Sequence, residues 1–351
     1  MMMFLFVILL MNGFISGHVD AEAEYDERVF ISGYGEVTVV NPTVPEVVAS
    51  IPVEGPARDM SFTADGRKAL FGANHRQTLY IVDTVKNEVI DTIQLPGRTE
   101  DAYLDRRVFG AAISPDGTKA YAFVTQGEKR TNIFKALPSQ LLEFDLETKE
   151  ITRQIEAPNG VHAMHFKIDD PSALFMWGYD LHKLDIDKWE INLAHGIKHP
   201  SDEKDGSGNF LLLFPRGENG FNSFPLIKEY PDGTVTEGIL WFNYKTEELK
   251  TIEYDEDPIG MFSAIIERDE SIAYTVLNNW YKVDLNTGKI IKRSKPPNGS
   301  TYAINMSIDE EKLYLGAAGN EFIVANKELE VLETIKVPTD GLDMKVVGIK
   351  K

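Results

Sequence analysis

Few side chains in this sequence have the spacing that chemistry needs. His195 and His199 form an H-x-x-x-H pattern, which serves zinc when a helix carries both rings on one side. Here the surroundings read as a loop, and no carboxylate stands where zinc proteases use one, so no metal site is expected. His162 and His165 are three apart in a strand-like run, where alternation sends them to opposite faces, and structural roles fit them better. The acidic run Glu253, Asp255, Glu256 and Asp257 lacks the glycine and the ligand spacing of a calcium loop, so it reads as a solvated turn. Glu100 and Asp101 could form an acid/base pair, but the nearby Arg98, Arg106 and Arg107 make an ionic surface loop the expectation. Trp177, Tyr179, Trp189 and Trp241 are expected to pack between sheets. There is no G-x-S-x-G, no Ser/His/Asp order and no phosphate-cradling glycine loop. We therefore expect no catalytic, cofactor-binding or metal-ligating residue in the chain.

Composition points the same way. There is no cysteine, which excludes haem attachment through C-x-x-C-H, thiolate metal sites and any thioether-linked quinone in this chain. The 351 residues are 43% hydrophobic and 26% charged, ordinary for a packed protein. A net charge of −19 repels phosphate backbones and argues against nucleic acid, while favouring cationic partners, protonated amines included. Residues 1–21 combine an apolar run centred on Phe4 to Leu10 with small residues near Ala21. They read as a secretory signal peptide, although Lys and Arg are missing from its start. The run is shorter than the ~20 residues a membrane span requires. A secreted or periplasmic protein is expected, with residues 22–351 as one domain.

The elements that would position any site come from a repeated phrase. Val40-Asn41, Val82-Asp83, Phe144-Asp145, Leu184-Asp185, Phe242-Asn243, Val283-Asp284 and Ala325-Asn326 each end a β-rich run. Their separations are 42, 62, 40, 58, 41 and 42 residues. Four of these match the ~40–45 residues of a four-stranded propeller blade, and the two long ones are the same unit with an insertion. Asp or Asn at the anchor can bond the backbone two residues on and start a reversal. Four residues later a left-handed position suits Asn87 and Gly288, while Lys149 and Pro45 are expected to break the pattern. Ser114-Pro115-Asp116-Gly117 is a good type I hairpin turn, with partial copies at Ala64-Asp65-Gly66, Asp169-Asp170, Asp269-Glu270 and Asp309-Glu310. After Asn326 only 25 residues remain, enough for three strands. The run Arg28 to Tyr34 looks like the missing fourth, so the N-terminal strand should close the ring. The expectation is all-β: a seven-bladed β-propeller of four antiparallel strands per blade.

Within such a ring, second-to-third-strand loops and blade-to-blade loops share a face. The long segments Arg98 to Arg107, Gly127 to Ser139, His195 to Asn209 and Tyr230 to Glu237 all fall on it, and binding usually sits on such loops. Tyr103, Leu104, Arg106 and Arg107 combine apolar anchors with a charged rim, as partner interfaces do, and are the candidate interface residues. None of them is expected in a strand.

Several segments resemble the β subunit of quinohemoprotein amine dehydrogenase. They are Arg107 to Gly117 after an acidic insertion, Leu142 to Thr148 followed by Glu156-Ala157-Pro158, Gly178 to Asp185, and Gly238 through Gly316. The resemblance covers Arg28 to about Gly348, while Ser201 to Glu218 matches poorly. It implies a heterotrimer: this propeller, a dihaem cytochrome c subunit and a small subunit carrying cysteine tryptophylquinone. The quinone would oxidise a primary amine to aldehyde and ammonia, with electrons passing to haem c. The propeller would support the complex and help wall the substrate cavity, with no catalytic residue assigned to it. The alternative is a stand-alone secreted propeller that binds a protein or surface ligand.

Overall fold

The computed structural model describes residues 24–167, 170–210, 220–317 and 319–351. The expected signal peptide, residues 1–21, lies outside them. Along the chain, β1 (Tyr25–Ser32), β2 (Tyr34–Asn41) and β3 (Glu46–Pro56) come first. Blade 2 is β4 (Arg58–Phe62), β5 (Lys68–Ala73), β6 (Thr78–Asp83) and β7 (Glu88–Gln94). Blade 3 is β8 (Gly97–Arg98), β9 (Tyr103–Ile113), β10 (Lys119–Lys129), β11 (Phe134–Asp145) and β12 (Ile151–Glu156). Blade 4 is β13 (Ala163–Lys167), β14 (Asp170–Trp177), β15 (Leu181–Asp185) and β16 (Glu190–His195). Blade 5 is β17 (Ser207–Phe210), β18 (Phe221–Glu229), β19 (Val235–Asn243) and β20 (Glu248–Glu253). Blade 6 is β21 (Ser263–Ile266), β22 (Ile272–Val276), β23 (Trp280–Asp284) and β24 (Ile290–Ser294). Blade 7 is β25 (Thr301–Met306), β26 (Lys312–Ala317), β27 (Glu321–Asn326) and β28 (Val331–Lys336). The last strand, β29 (Asp343–Lys350), returns to pair with β1 and completes blade 1 in the order β29-β1-β2-β3.

Inner strands of successive sheets touch one another around a ring, from β29 to β4, β9 and β13, and from β21 through β25 back to β29. The fold is a seven-bladed β-propeller. Its core is a set of apolar layers between blades. Leu70, Ile81, Ala111, Ala122 and Leu142 fill the layer between blades 2 and 3. Phe175, Trp177, Phe224 and Phe242 fill that between blades 4 and 5. A sheet covered on both faces needs apolar residues at successive positions, which is why β10 runs Ala-Tyr-Ala-Phe-Val without alternation.

All seven anchors end the strand next to the outermost one of their sheet, β11 in the five-stranded blade 3. In each, the Asp or Asn side-chain oxygen accepts a backbone N–H two or three residues on, at 2.8–3.0 Å. The following left-handed position is kept even where the residue type resists it. Asn87 (φ 56°) and Gly288 (φ 71°) comply as expected, but so do Lys149 (φ 63°), Trp189 (φ 58°) and Glu247 (φ 58°). The expectation that Lys149 breaks the turn is therefore corrected. Its N–H bonds the Asp145 carbonyl at 2.8 Å. Together with the anchor bonds this outweighs the ~1–2 kcal/mol that a left-handed non-glycine costs. Pro45, with no N–H, does depart from the pattern.

Two further corrections concern phase. The unit from anchor to anchor runs across two sheets, so β1 is no edge strand; it lies between β29 and β2. After Asn326 the tail supplies two strands, β28 and β29, not three. Closure is extensive. β1 and β29 pair from Tyr25–Lys350 to Ser32–Asp343, and Arg67 Nη1 donates to the Lys350 carbonyl at 2.8 Å. A Cβ on Gly66 (φ 68°) would lie 2.5 Å from the Gly348 carbonyl, so the first turn of blade 2 can seat on the last strand only as glycine.

Candidate functional site

Blade 3 differs from the others on the face that carries blade-to-blade connections and second-to-third-strand loops. Its strands β9, β10 and β11 run on as a paired arm, with Lys129 opposite Tyr103 and Phe134. The short β8 adds to it through Gly97–Leu104 and Arg98–Tyr103. Residues 98–107 and 127–139, expected as loops, are thus largely sheet. Tyr103, Leu104, Arg106 and Arg107 all lie in β9, which corrects their placement outside strands. The physical reason is mutual pairing: each segment supplies the hydrogen-bond partners that the other would otherwise take from water.

The arm is organised around a carboxylate that the sequence reading passed over. Asp105 is 7% exposed and accepts from Lys129 Nζ at 2.7 Å, Gln77 Nε2 at 3.1 Å and Arg107 Nε at 3.3 Å. Against the upward push of partial burial, those bonds hold its carboxyl below the usual range. Arg106 donates to Gln126 Oε1 at 3.2 Å, and the Lys129 ammonium sits 5.8 Å from the Tyr103 ring centre. The arginines are therefore engaged with Asp105 and Gln126, while Glu100 and Asp101 are exposed on the β8–β9 turn. At the tip Ile133 is 64% exposed and Phe134 62%. The Phe134 ring lies against Gly127, where a Cβ would come within 2.3 Å of it. Two large apolar side chains thus stand in solvent at the end of a braced arm.

The base of the arm reaches the ring axis. Asn74, His75 and Arg76 are consecutively left-handed, with φ of 52°, 52° and 69°. Such strain in non-glycine residues marks a position held by its surroundings. Arg76 Nη1 donates to Val108 O at 3.1 Å and pairs with Asp59 Oδ2 at 3.3 Å. Its guanidinium lies 4.4 Å from the centre of the Phe109 ring, whose edge contact with His162 has a centroid distance of 5.7 Å. Partial desolvation and then the Arg76 charge hold His162 below the ordinary imidazole range.

The remaining candidates resolve into structural contacts. His195 ends β16, with Nε2 3.1 Å from Glu247 O. His199 Nδ1 lies 2.7 Å from Asp180 Oδ2, and Asp180 Oδ1 also accepts the Ile197 and His199 N–H groups. Asp180 therefore pins the segment that joins blades 4 and 5. Among the described residues, no three His, Asp or Glu side chains stand close enough to share a metal ion. In the acidic run, Glu256 pairs with Arg293 and Glu253 takes the Tyr230 hydroxyl. Glu237, outside that run and 1% exposed, accepts the N–H groups of Ile259, Gly260 and Met261 at 2.5–2.8 Å. Its only sequence signal is a lone acid in an apolar strand. Trp177 is fully buried and Trp241 is 5% exposed; the Trp189 ring sits 4.1 Å under Arg153. Tyr179 departs from the expected packing cluster and is 59% exposed.

No helix among the described residues is long and apolar enough to cross a membrane. No family model matches the chain, and no curated protein matches it in sequence. Solved structures do resemble it. Dihydro-heme d1 dehydrogenase NirN in complex with DHE aligns with a TM-score of 0.56 at 14% identity, over 93% of this chain and 76% of that one. Hydrazine synthase from Kuenenia stuttgartiensis gives 0.52 at 14% identity, over 87% and 90% of the two chains. A functionally unknown protein from Desulfotomaculum acetoxidans DSM 771 gives 0.57 at 13% identity, over 92% and 98%. At identities this low, what the chain shares with these proteins is the seven-bladed propeller fold.

Proposed function

We propose that this chain is the non-catalytic propeller subunit of an exported quinohemoprotein amine dehydrogenase, docking its partners on the face from which blade 3 projects. One observation carries the reading: the braced β9–β11 arm that presents Ile133 and Phe134 to solvent. Two exposed apolar side chains at the tip of an ordered arm offer a partner an apolar anchor. Two of the segments that resemble the amine dehydrogenase subunit, Arg107 to Gly117 and Leu142 to Thr148, share strands β9 and β11 with this arm and run on into turns of the opposite face. The chain has no cysteine for a thioether quinone or for haem c, which suits a division of labour where the partners carry both. One structural neighbour is by name a dehydrogenase of dihydro-heme d1, so the fold is compatible with service beside redox groups. Here the partners would be a small quinone-bearing subunit and a dihaem cytochrome c, with a primary amine oxidised at their interface.

Tagging the chain in its source organism and purifying it under native conditions tests this. The recovered complex should hold a small subunit that stains for quinone, absorb as haem c and oxidise a primary amine. The chain alone should be colourless and inactive. Recovery with a partner lacking quinone and haem would favour the stand-alone binding propeller and overturn the amine dehydrogenase assignment.

A further inference from the structure

Along the arm, β11 is the outermost strand. Its outer neighbour β12 pairs with it only from Gln140–Glu156 to Phe144–Ile151, and the Ala157 N–H closes that edge on the Ser139 carbonyl at 3.0 Å. Further out on the arm, Phe134, Lys135 and Ala136 are exposed and pair on one side only, with Lys129, Glu128 and Gly127 of β10. The direction of their backbone groups follows from the hairpin. The Arg130 N–H donates to the Ile133 carbonyl at 2.9 Å, so these two residues form a hydrogen-bonded pair. Antiparallel ladders alternate, which makes Glu128–Lys135 bonded and leaves Lys129–Phe134 and Gly127–Ala136 unbonded. Phe134 and Ala136 therefore turn both N–H and C=O away from β10, to an edge that no strand covers among the described residues.

Such an edge is a ready template for a further strand. Two features decide which strand it accepts. Pro138 has no N–H and ends the open run, so only a short segment can add. Lys135 stands between the two outward-facing residues; nearby Glu128 is taken by Arg130, and Lys135 makes no ion pair among the described residues. A second copy of the chain, adding antiparallel so that every outward group is bonded, would set Phe134 against Ala136 and Lys135 against Lys135. Like charges directly opposite destabilise a strand pair, and two chains of net charge −19 repel each other. The edge is closed to its own kind and open to a strand of opposite charge.

We propose that the arm docks its partner by strand addition: an extended segment of the partner protein joins the sheet beside Phe134–Ala136, with an acidic residue opposite Lys135. The residues flanking that acid share a face with the Phe134 ring and are apolar. Strand addition rests on the reading of the arm as the docking element and adds how it docks. Main-chain hydrogen bonds supply affinity, and the alternating side chains select the segment.

The test uses the complex recovered with the tagged full chain and compares variants by titration. Ala136→Pro deletes one outward N–H and keeps every bond to β10, and proline is tolerated at such an edge position. It should weaken binding about 10-fold, because a carbonyl of the added strand loses its donor, and leave thermal unfolding unchanged. Lys135→Glu should weaken binding about 3-fold or more. The double substitution Ile133→Ser with Phe134→Ser probes the arm alone. If the double variant binds more weakly and Ala136→Pro binds normally, strand addition is overturned while the arm remains the docking element. If no variant changes binding, or no partner is recovered, both are overturned. Should Ala136→Pro not fold, amide exchange of the unmodified chain decides. Phe134 and Ala136 should exchange freely in the chain alone and be protected in the complex, whereas the inward-facing Lys135 and Leu137 are protected in both. Unchanged exchange at Phe134 and Ala136 on assembly overturns the proposal.

Discussion

Replacing Ile133 and Phe134 together by Ser removes the apolar tip of the arm while leaving its pairing in place. Burying a whole side chain of this size contributes about 1.5–3 kcal/mol. With 64% and 62% of the two side chains still in solvent, covering them with a partner should contribute about 1–2 kcal/mol each. The double substitution should therefore weaken assembly by about 2–4 kcal/mol, roughly 30- to 1000-fold in Kd. The propeller itself should lose little, because exposed substitutions usually stay within about 0.5 kcal/mol. The assay is titration of the tagged chain against the partner subunits, with thermal unfolding as the control for folding. Val85→Ser, 47% exposed in a turn on the opposite face, should bind normally. Equal affinities for the tip variant and the Val85→Ser control would refute the reasoning and leave the arm as surface elaboration.

Deleting Tyr25 to Ser32 should give aggregated protein, because β1 lies between β29 and β2 and its loss opens two sheet edges; sedimentation checks this, and a soluble ring with unchanged melting would contradict closure by the chain ends. Glu143→Gln should cost about 3 kcal/mol at pH 7 by urea unfolding. Burial opposes ionisation of this 1%-exposed carboxylate, but bonds from Arg153, Thr152, Lys119 and Tyr121 pull its pKa down to about 2. The stability is fully present above the ordinary carboxyl range and lost as pH falls through about 2. Asp59 behaves in the opposite sense, because its raised folded value makes the native state hold the proton more tightly. Stability should fall as pH rises from about 4 to about 7, a slope on the order of a few kcal/mol in total that Asp59→Asn should remove.

The ring was legible because its signals are local. An Asp or Asn that ends a strand bonds its own turn, so Asn41, Asp83 and their five counterparts announce the blades one by one. Closure was legible from the strand-like run at Arg28 and the short tail after Asn326, although the phase was not, since antiparallel strands of equal length look alike in sequence. The left-handed Lys149 was missed because residue preference is weaker than the bonds closing that turn. The arm was missed because length between blades suggests a loop. The available signal was complementary charge, with Asp105 in one segment and Lys129 in the other. The charges grouped around Asp59 had no signal. Asp59 and Lys345 come from opposite ends of the chain, and only ring closure makes them neighbours.

Amide hydrogen exchange of the chain, with and without its partner subunits, tests the central claim most directly. Partner binding should slow exchange in residues 99–107 and 129–137 and leave the turns at 83–88 and 145–149, on the other face, unchanged. Protection confined to those turns, or to the outer strands such as β7 and β12, would contradict docking on the face of the blade 3 arm.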